Sequence, residues 1–434
     1  MHIKIGNAIN LRLYGVTGLQ RVIILYELIS REYNVCQKIK REIENMGGEA
    51  YVFSITFEWY DAVALSSKIK IDFIMMPWMY TDHNYELVQP FIEHNPDVKL
   101  GNFHHEEISS PAYENVLLPK SENAKNSMLH FVWTKTFAES LIACGVREEN
   151  IFIIGNPRCD EGRSINKTRL ELAEEYNLDF NKKWILYAET RDNSNKLIAL
   201  NKRDLLGLGI TESIYDRAVH FDLESLGKTI EQLHKLPNCF FNKYEIIYRP
   251  HPGHNANCDI DQRVHVITDY SIYEWLNVAE IYVTWQSTSI FESDLMGVVS
   301  FLHEPINRDD RFRVRGLDEY HKIVDLIELD SIDLENIKNK QIKRAVYKKY
   351  LGECDGKSVK NIAKKIMDFI DHPLDGYKAN FIGIRKYRLW KERIFEIVTR
   401  IFVHLNILQC LHYPNTSYLR IRDIPYKDGN CSIE

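Results

Sequence analysis

The sequence has no C-x-x-C pair and no tight cysteine cluster; its eight cysteines are Cys36, Cys144, Cys159, Cys239, Cys258, Cys354, Cys410 and Cys431. Finger-type metal sites are excluded, and reduced thiols of an intracellular protein are expected. No window reaches eighteen uninterrupted apolar residues, which argues against a membrane span. The opening MHIKIGNAINLRLYGVTGLQ mixes charges and glycines where a secretory signal needs a continuous apolar core, so no such signal is expected. Short-period repeats are missing too, excluding solenoids and propellers. Charge of one sign is scarce: 55 basic against 61 acidic residues leaves −6, no global reason to expect nucleic acid as a partner.

What is present is core material. With 45% hydrophobic and 12% aromatic residues in 434, the chain can fill two large domains and an appendage. Apolar runs at 22–27, 50–55, 73–77, 98–104, 130–134 and 151–155 alternate with helix-period segments such as 33–46. Such unbroken runs read as buried parallel strands in an α/β fold. A polar, turn-rich stretch at 155–183 holds the boundary, giving a first domain at 1–165. A second series has strands at 184–189, 244–249, 264–268, 281–286 and 298–303, with helical periodicity at 216–235, 271–279, 288–296 and 318–327. This second domain spans 166–374, and a tail covers 375–434. Residues 377–402 carry a local +5, leaving −11 elsewhere. There Ile394, Ile397, Val398, Ile401, Leu405 and Leu408 form an apolar stripe beside basic side chains. That pattern fits a membrane-surface helix or a terminal helix packed across a domain.

In open parallel sheets ligands bind where strands end at their carboxyl side. After 244–248 comes Arg249-Pro250-His251-Pro252-Gly253, whose prolines stop the ladder and hold His251 in a stiff turn suited to a phosphate oxygen. After 281–285 comes Gln286-Ser287-Thr288-Ser289, opening a helix whose free N–H groups and hydroxyls suit a phosphate. Ser289 and Glu292 also have capping-box spacing, which needs no ligand. Gly297 reads as that helix's C-terminal cap. Asp259 and Asp261 read as a solvated loop.

RPHP, the later QSTSIFESDLMG, GNPRCD at the junction and YELISRE near the start together resemble bacterial surface-carbohydrate and capsule glycosyltransferases of the GT-B fold, over roughly residues 22–330. The chain is also similar to bacterial sialyltransferases and Kdo transferases that use CMP-sugars, and CDP-glycerol glycerophosphotransferases share much of the plan. The resemblance implies two Rossmann-like domains facing a cleft, with His251, Pro252 and Arg249 at the donor phosphate. Ser287, Thr288 and Ser289 would hold the same phosphate, and Glu292 the nucleotide ribose. It implies a catalytic base in the first domain: Glu106 or Glu107, after the 98–103 strand, with like-charge repulsion raising one of the two. Glu27, Arg31 and His105 would line the acceptor cleft, and Arg158 would act as hinge or reach the donor. No cofactor or metal is required, because helix ends and basic side chains can stabilise a leaving nucleotide.

The leading expectation is an inverting transferase moving a sugar from a cytidine-nucleotide donor, CMP-Kdo or CMP-nonulosonate, onto a surface polysaccharide or lipid-linked glycan. Two alternatives stand beside it: polyol-phosphate transfer from CDP-glycerol, and a noncatalytic capsule-assembly component. The expected place is the cytoplasm, with the tail a candidate anchor to the inner membrane's cytoplasmic face.

Overall fold

The computed structural model of the protein describes residues 19–163, 167–190, 202, 205–251, 259–407 and 424–425. Its first sheet is built from β1 (Arg21–Tyr26), β2 (Glu49–Ser54), β3 (Phe73–Met76), β4 (Lys99–Phe103), β5 (Leu129–Val132) and β6 (Ile151–Ile153). They pair in parallel in the order β2-β1-β3-β4-β5-β6. The second sheet contains β7 (Lys183–Ala188), β8 (Tyr244–Arg249), β9 (His265–Val266), β10 (Ile281–Thr284), β11 (Val299–His303) and β12 (His321–Ile323). Its order is β12-β11-β10-β7-β8-β9, again all parallel. The expected pair of Rossmann-like domains is therefore present.

Pleating explains why the strands read as continuous apolar runs. In β1, Val22, Ile24 and Tyr26 enter one buried layer while Ile23 and Leu25 enter the other. Ile185 and Tyr187 of β7 likewise oppose Trp184, Leu186 and Ala188. One expectation fails: 318–327 is not a helix but the edge strand β12 between the short turns Leu317–Glu319 and Leu326–Asp330. Three residues are too few to show a period of two.

The chain also crosses back. Helix Ser358–Asp371, at the end of the stretch assigned to the second domain, packs against helix Asn34–Asn45 of the first. Val359, Ile362, Ala363, Ile366 and Phe369 join that domain's core. Each larger side chain among them contributes on the order of 1.5–3 kcal/mol by burial, which ties the two domains together. At the crossing, Gly352 has φ +82, and a Cβ there would lie 2.7 Å from the Trp133 carbonyl oxygen and 3.0 Å from Gly155 Cα. Asn156 N–H donates to the Leu351 carbonyl (2.9 Å) at the same place.

The tail's helix Lys386–His404 packs on the first domain. Phe395 stacks on Phe57 at 6.3 Å between centroids, and the buried Glu396 accepts from Tyr60 N–H (2.5 Å). Burial, followed by the neighbouring Asp61 and Glu58 charges, pushes the Glu396 carboxyl up to about 8, although Arg400 opposes the shift. Between the ordinary carboxyl range and pH 8 the folded protein holds a proton here that the unfolded chain has lost. This group's contribution therefore shrinks as pH rises through that window, on the order of a few kcal/mol in all. Glu396→Gln will flatten that pH dependence; thermal midpoints of parent and variant at pH 5 and pH 8 check it.

Candidate functional site between the two sheets

In the first sheet β1 lies between β2 and β3, so the chain leaves it in opposite directions and a crevice opens beyond its carboxyl end. Glu27 occupies that end. Its backbone N–H donates to Glu32 Oε2 (2.7 Å), and Trp78, just beyond β3, donates Nε1–H to Glu27 Oε2 (3.1 Å). A wide π turn at Ile29–Tyr33 carries Arg31 and Glu32. The Arg31 guanidinium donates to Glu32 Oε1 (2.9 Å) and pairs with Glu106 beyond β4. His105 is buried, with Nε2 3.6 Å from Glu32 Oε2 and no hydrogen-bond partner on that nitrogen. Its neighbour His104 instead packs inward on His130 (3.0 Å).

Electrostatics divide these groups. Burial, then the Glu32 charge, lifts the Glu27 carboxyl to about 7, with Arg31 opposing. Burial also pushes Glu32 upward, but His105 when protonated, the Arg31 guanidinium and the Glu27 N–H outweigh it and hold Glu32 below the ordinary carboxylate range. His105 falls to about 4 through burial, reinforced by the Arg31 and Arg158 charges and resisted by Glu32. It is therefore a neutral imidazole beside an ionised carboxylate at neutral pH.

In the second sheet the crevice opens between β7 and β10. Beyond β10, Gln286 N–H donates to Thr190 Oγ1 (2.9 Å), and Gln286 Oε1 accepts from Val314 N–H (2.7 Å). Ser287 and Ser289 hydroxyls meet at 2.6 Å, and Ser289 continues to the Tyr282 hydroxyl. Thr288 is exposed and precedes helix Ser289–Leu295 without a side-chain cap. Beyond β8, His251 N–H donates to Glu189 Oε2 (3.3 Å). Pro252 lies outside the described residues.

The two crevices meet at Arg158. Its Nη2 lies 3.1 Å from Glu292 Oε1, and its charge also acts on His105. Glu292 is 3% exposed, and its Oε2 has no hydrogen-bond partner. One rim of the cleft is closed where Ala112 N–H donates to the Arg311 carbonyl (2.9 Å) and Arg315 N–H to the Ser109 carbonyl (3.1 Å).

Several expectations change at this level. The Glu106-Glu107 pair does not share a site: Glu106 turns to Arg31, while Glu107 accepts from Trp133 N–H and the Thr134 hydroxyl (3.4 Å). The Glu107 carboxyl is raised by burial, not by Glu106. Arg249 does not reach outward; it donates to the Asp269 (2.7 Å), Tyr270 (2.9 Å) and Thr268 (3.5 Å) carbonyls and stiffens their turn. No Ser289–Glu292 capping box forms, because Glu292 is turned to Arg158. Gly297 does sit just past that helix, at φ +72. Asp261 is buried on Arg263 (2.7 Å) rather than solvated. Trp78 and Glu189 carry no motif that marks them in the sequence, although each lies within two residues of a strand's carboxyl end, where the strand-end rule reaches both.

Two parallel-sheet domains present polar strand ends to a shared cleft, the GT-B architecture, and together with the family match over residues 26–294 they make the chain an enzyme of the glycosyltransferase class. Residues 26–294 match the CDP-glycerol:poly(glycerophosphate) glycerophosphotransferase family, and the chain belongs to that family. Among solved structures it is similar to the wall teichoic acid polymerase TagF (14% identity, 82% of this chain and 90% of that one, TM-score 0.52). It is also similar to a UDP-N-acetylglucosamine 2-epimerase described as putative, from Listeria monocytogenes (14%, 84% and 100%, TM-score 0.50). S. aureus MnaA, solved with UDP, is a third such structure (12%, 81% and 97%, TM-score 0.50). At these identities the likeness is one of fold. No curated protein matches the chain.

Proposed function

We propose that the protein moves a polyol phosphate of the glycerol phosphate type from a CDP-activated donor to an acceptor hydroxyl in the cleft. The observation that carries this reading is the family match, which runs from residue 26 to residue 294 and so brackets both the Glu27 cluster and Glu292. TagF, which has been solved after soaking with CDPG, supports the same donor class. CMP-Kdo and CMP-nonulosonate donors have no comparable support, so polyol-phosphate transfer takes their place as the leading reading.

In this reaction the acceptor oxygen bonds to the phosphorus bearing the polyol. The bond from that phosphorus to the bridging oxygen breaks, and CMP leaves with the electron pair. We assign the acceptor proton to His105. The buried Glu32 carboxylate, 3.6 Å from His105 Nε2, stays ionised and favours the imidazolium. The positive Arg158 adds to the depression of His105. A donor diphosphate at Arg158 offsets that charge, so donor binding raises the basicity of His105. His251 and the Ser287, Thr288 and Ser289 hydroxyls are assigned to the phosphate oxygens, and Glu292 to the ribose. Glu27 and Arg31 are assigned to the acceptor side.

The test is a donor panel of CDP-glycerol, a CMP-nonulosonate and UDP-sugars with a glycerol phosphate oligomer as acceptor. Both cytidine donor types release CMP, so the readout is the new phosphodiester, by phosphorus NMR and product mass. Elongation from CDP-glycerol is expected; turnover of a CMP- or UDP-sugar with CDP-glycerol inert sinks the reading.

A further inference from the structure

The helix Lys386–His404 places its apolar stripe where a water-soluble surface helix would place polar groups. Its packed side carries Phe395, the buried Glu396 and Thr399, with Arg388 bound to Glu86 (3.0 Å). The opposite side presents Tyr387 (78% exposed), Trp390 (65%), Ile394, Ile397, Ile401 (50%) and Leu405. At 100° per residue these six fall within one sector of about 80° along the helix. The acids of the helix avoid that sector: Glu396 is buried, and the half-buried Glu392 lies roughly opposite Trp390. Its edges are basic, with Lys386 and Arg393 on one side and Lys391 on the other, all exposed. Phe381 and Ile382, also exposed, continue the apolar surface ahead of the helix.

We propose that this face docks on the headgroup layer of an anionic membrane. An apolar stripe with aromatic residues and basic edges is the composition of helices that lie in the interface plane: the stripe enters the acyl boundary and the cations meet acidic lipids. Charge complementarity selects this occupant. A second copy laid on the same face would set Lys386, Lys391 and Arg393 against their own equivalents, whereas anionic lipids neutralise them. The packed side fixes the helix to the first domain, so docking orients the whole enzyme. The inference rests on the surface alone and is independent of the donor assignment.

The test uses the full chain and sedimentation with vesicles of phosphatidylcholine alone or mixed with phosphatidylglycerol. The parent is expected to bind the mixed vesicles, more weakly as salt rises, with a blue shift of tryptophan fluorescence that Trp390→Phe diminishes. Ile397→Glu with Ile401→Glu should lower partitioning by roughly a hundredfold while leaving the thermal midpoint in place, since both side chains are solvent-facing. Lys386→Glu with Lys391→Glu should remove the preference for the acidic lipid. No binding by the parent, or undiminished binding by the Ile397→Glu, Ile401→Glu protein, overturns the proposal. So does a dimer in light scattering that the same pair dissolves, which would give the face to a second copy.

Discussion

Replacing His105 by asparagine will leave the donor bound and lower kcat by roughly three orders of magnitude, the usual scale for losing a positioned general base. Asparagine keeps a polar side chain of similar reach and cannot take the proton. The expected pattern is a donor affinity, measured by calorimetry, close to that of the parent, with transfer nearly gone. Glu32→Gln should lose less, because Glu32 stabilises the imidazolium without touching the acceptor. Glu27 is the rival, since burial has brought its carboxyl to about 7, near working pH. If Glu27→Gln abolishes transfer while His105→Asn retains it, the base is Glu27 and the assignment fails. The parent's pH–rate profile adds a second reading. A base that donor binding activates gives a rise in kcat at a different pH from the rise in kcat/KM, because the two report the occupied and empty cleft.

Much of this architecture is legible in the residues because buried parallel strands are continuous apolar runs, and VIILY or YEIIY between charged segments admits few other readings. The strand-end rule then points at Glu27, Glu106, His251 and Ser287 without any structure. It gives position along the chain but not direction of the side chain. Adjacent in sequence, Glu106 and Glu107 still part: one side chain turns to Arg31 and the other to the Trp133 N–H. What the sequence leaves hidden is partnership across the cleft. Nothing near Arg158 announces Glu292, far along the chain in the other domain, and nothing near Arg249 announces the carbonyls that absorb its donors. The tail shows the same divide. Its spacing reveals a stripe, but only the packing of Glu396 and Phe395 decides that the stripe faces outward.

Glu292→Gln is expected to raise the donor KM by roughly a hundredfold, the scale of a lost charge-assisted hydrogen bond in a dry site, while changing kcat at saturating donor far less. The argument begins from an imbalance. Arg158 meets Oε1 at 3.1 Å, yet the buried Oε2 has no hydrogen-bond partner. An anionic oxygen left so is costly unless a donor arrives, and a ribose brings two hydroxyl donors. Glutamine removes the charge and replaces one acceptor with an amide N–H. A donor lacking the 2′ and 3′ hydroxyls distinguishes ribose recognition from mere support of Arg158. If Glu292 binds the ribose, that analogue suffers in the parent as the natural donor suffers in Glu292→Gln, and the two losses do not add. If instead the parent accepts the dideoxy donor as readily as the natural one, Glu292 does not read the ribose. A variant that loses thermal stability along with donor affinity would assign it to holding Arg158 in the cleft.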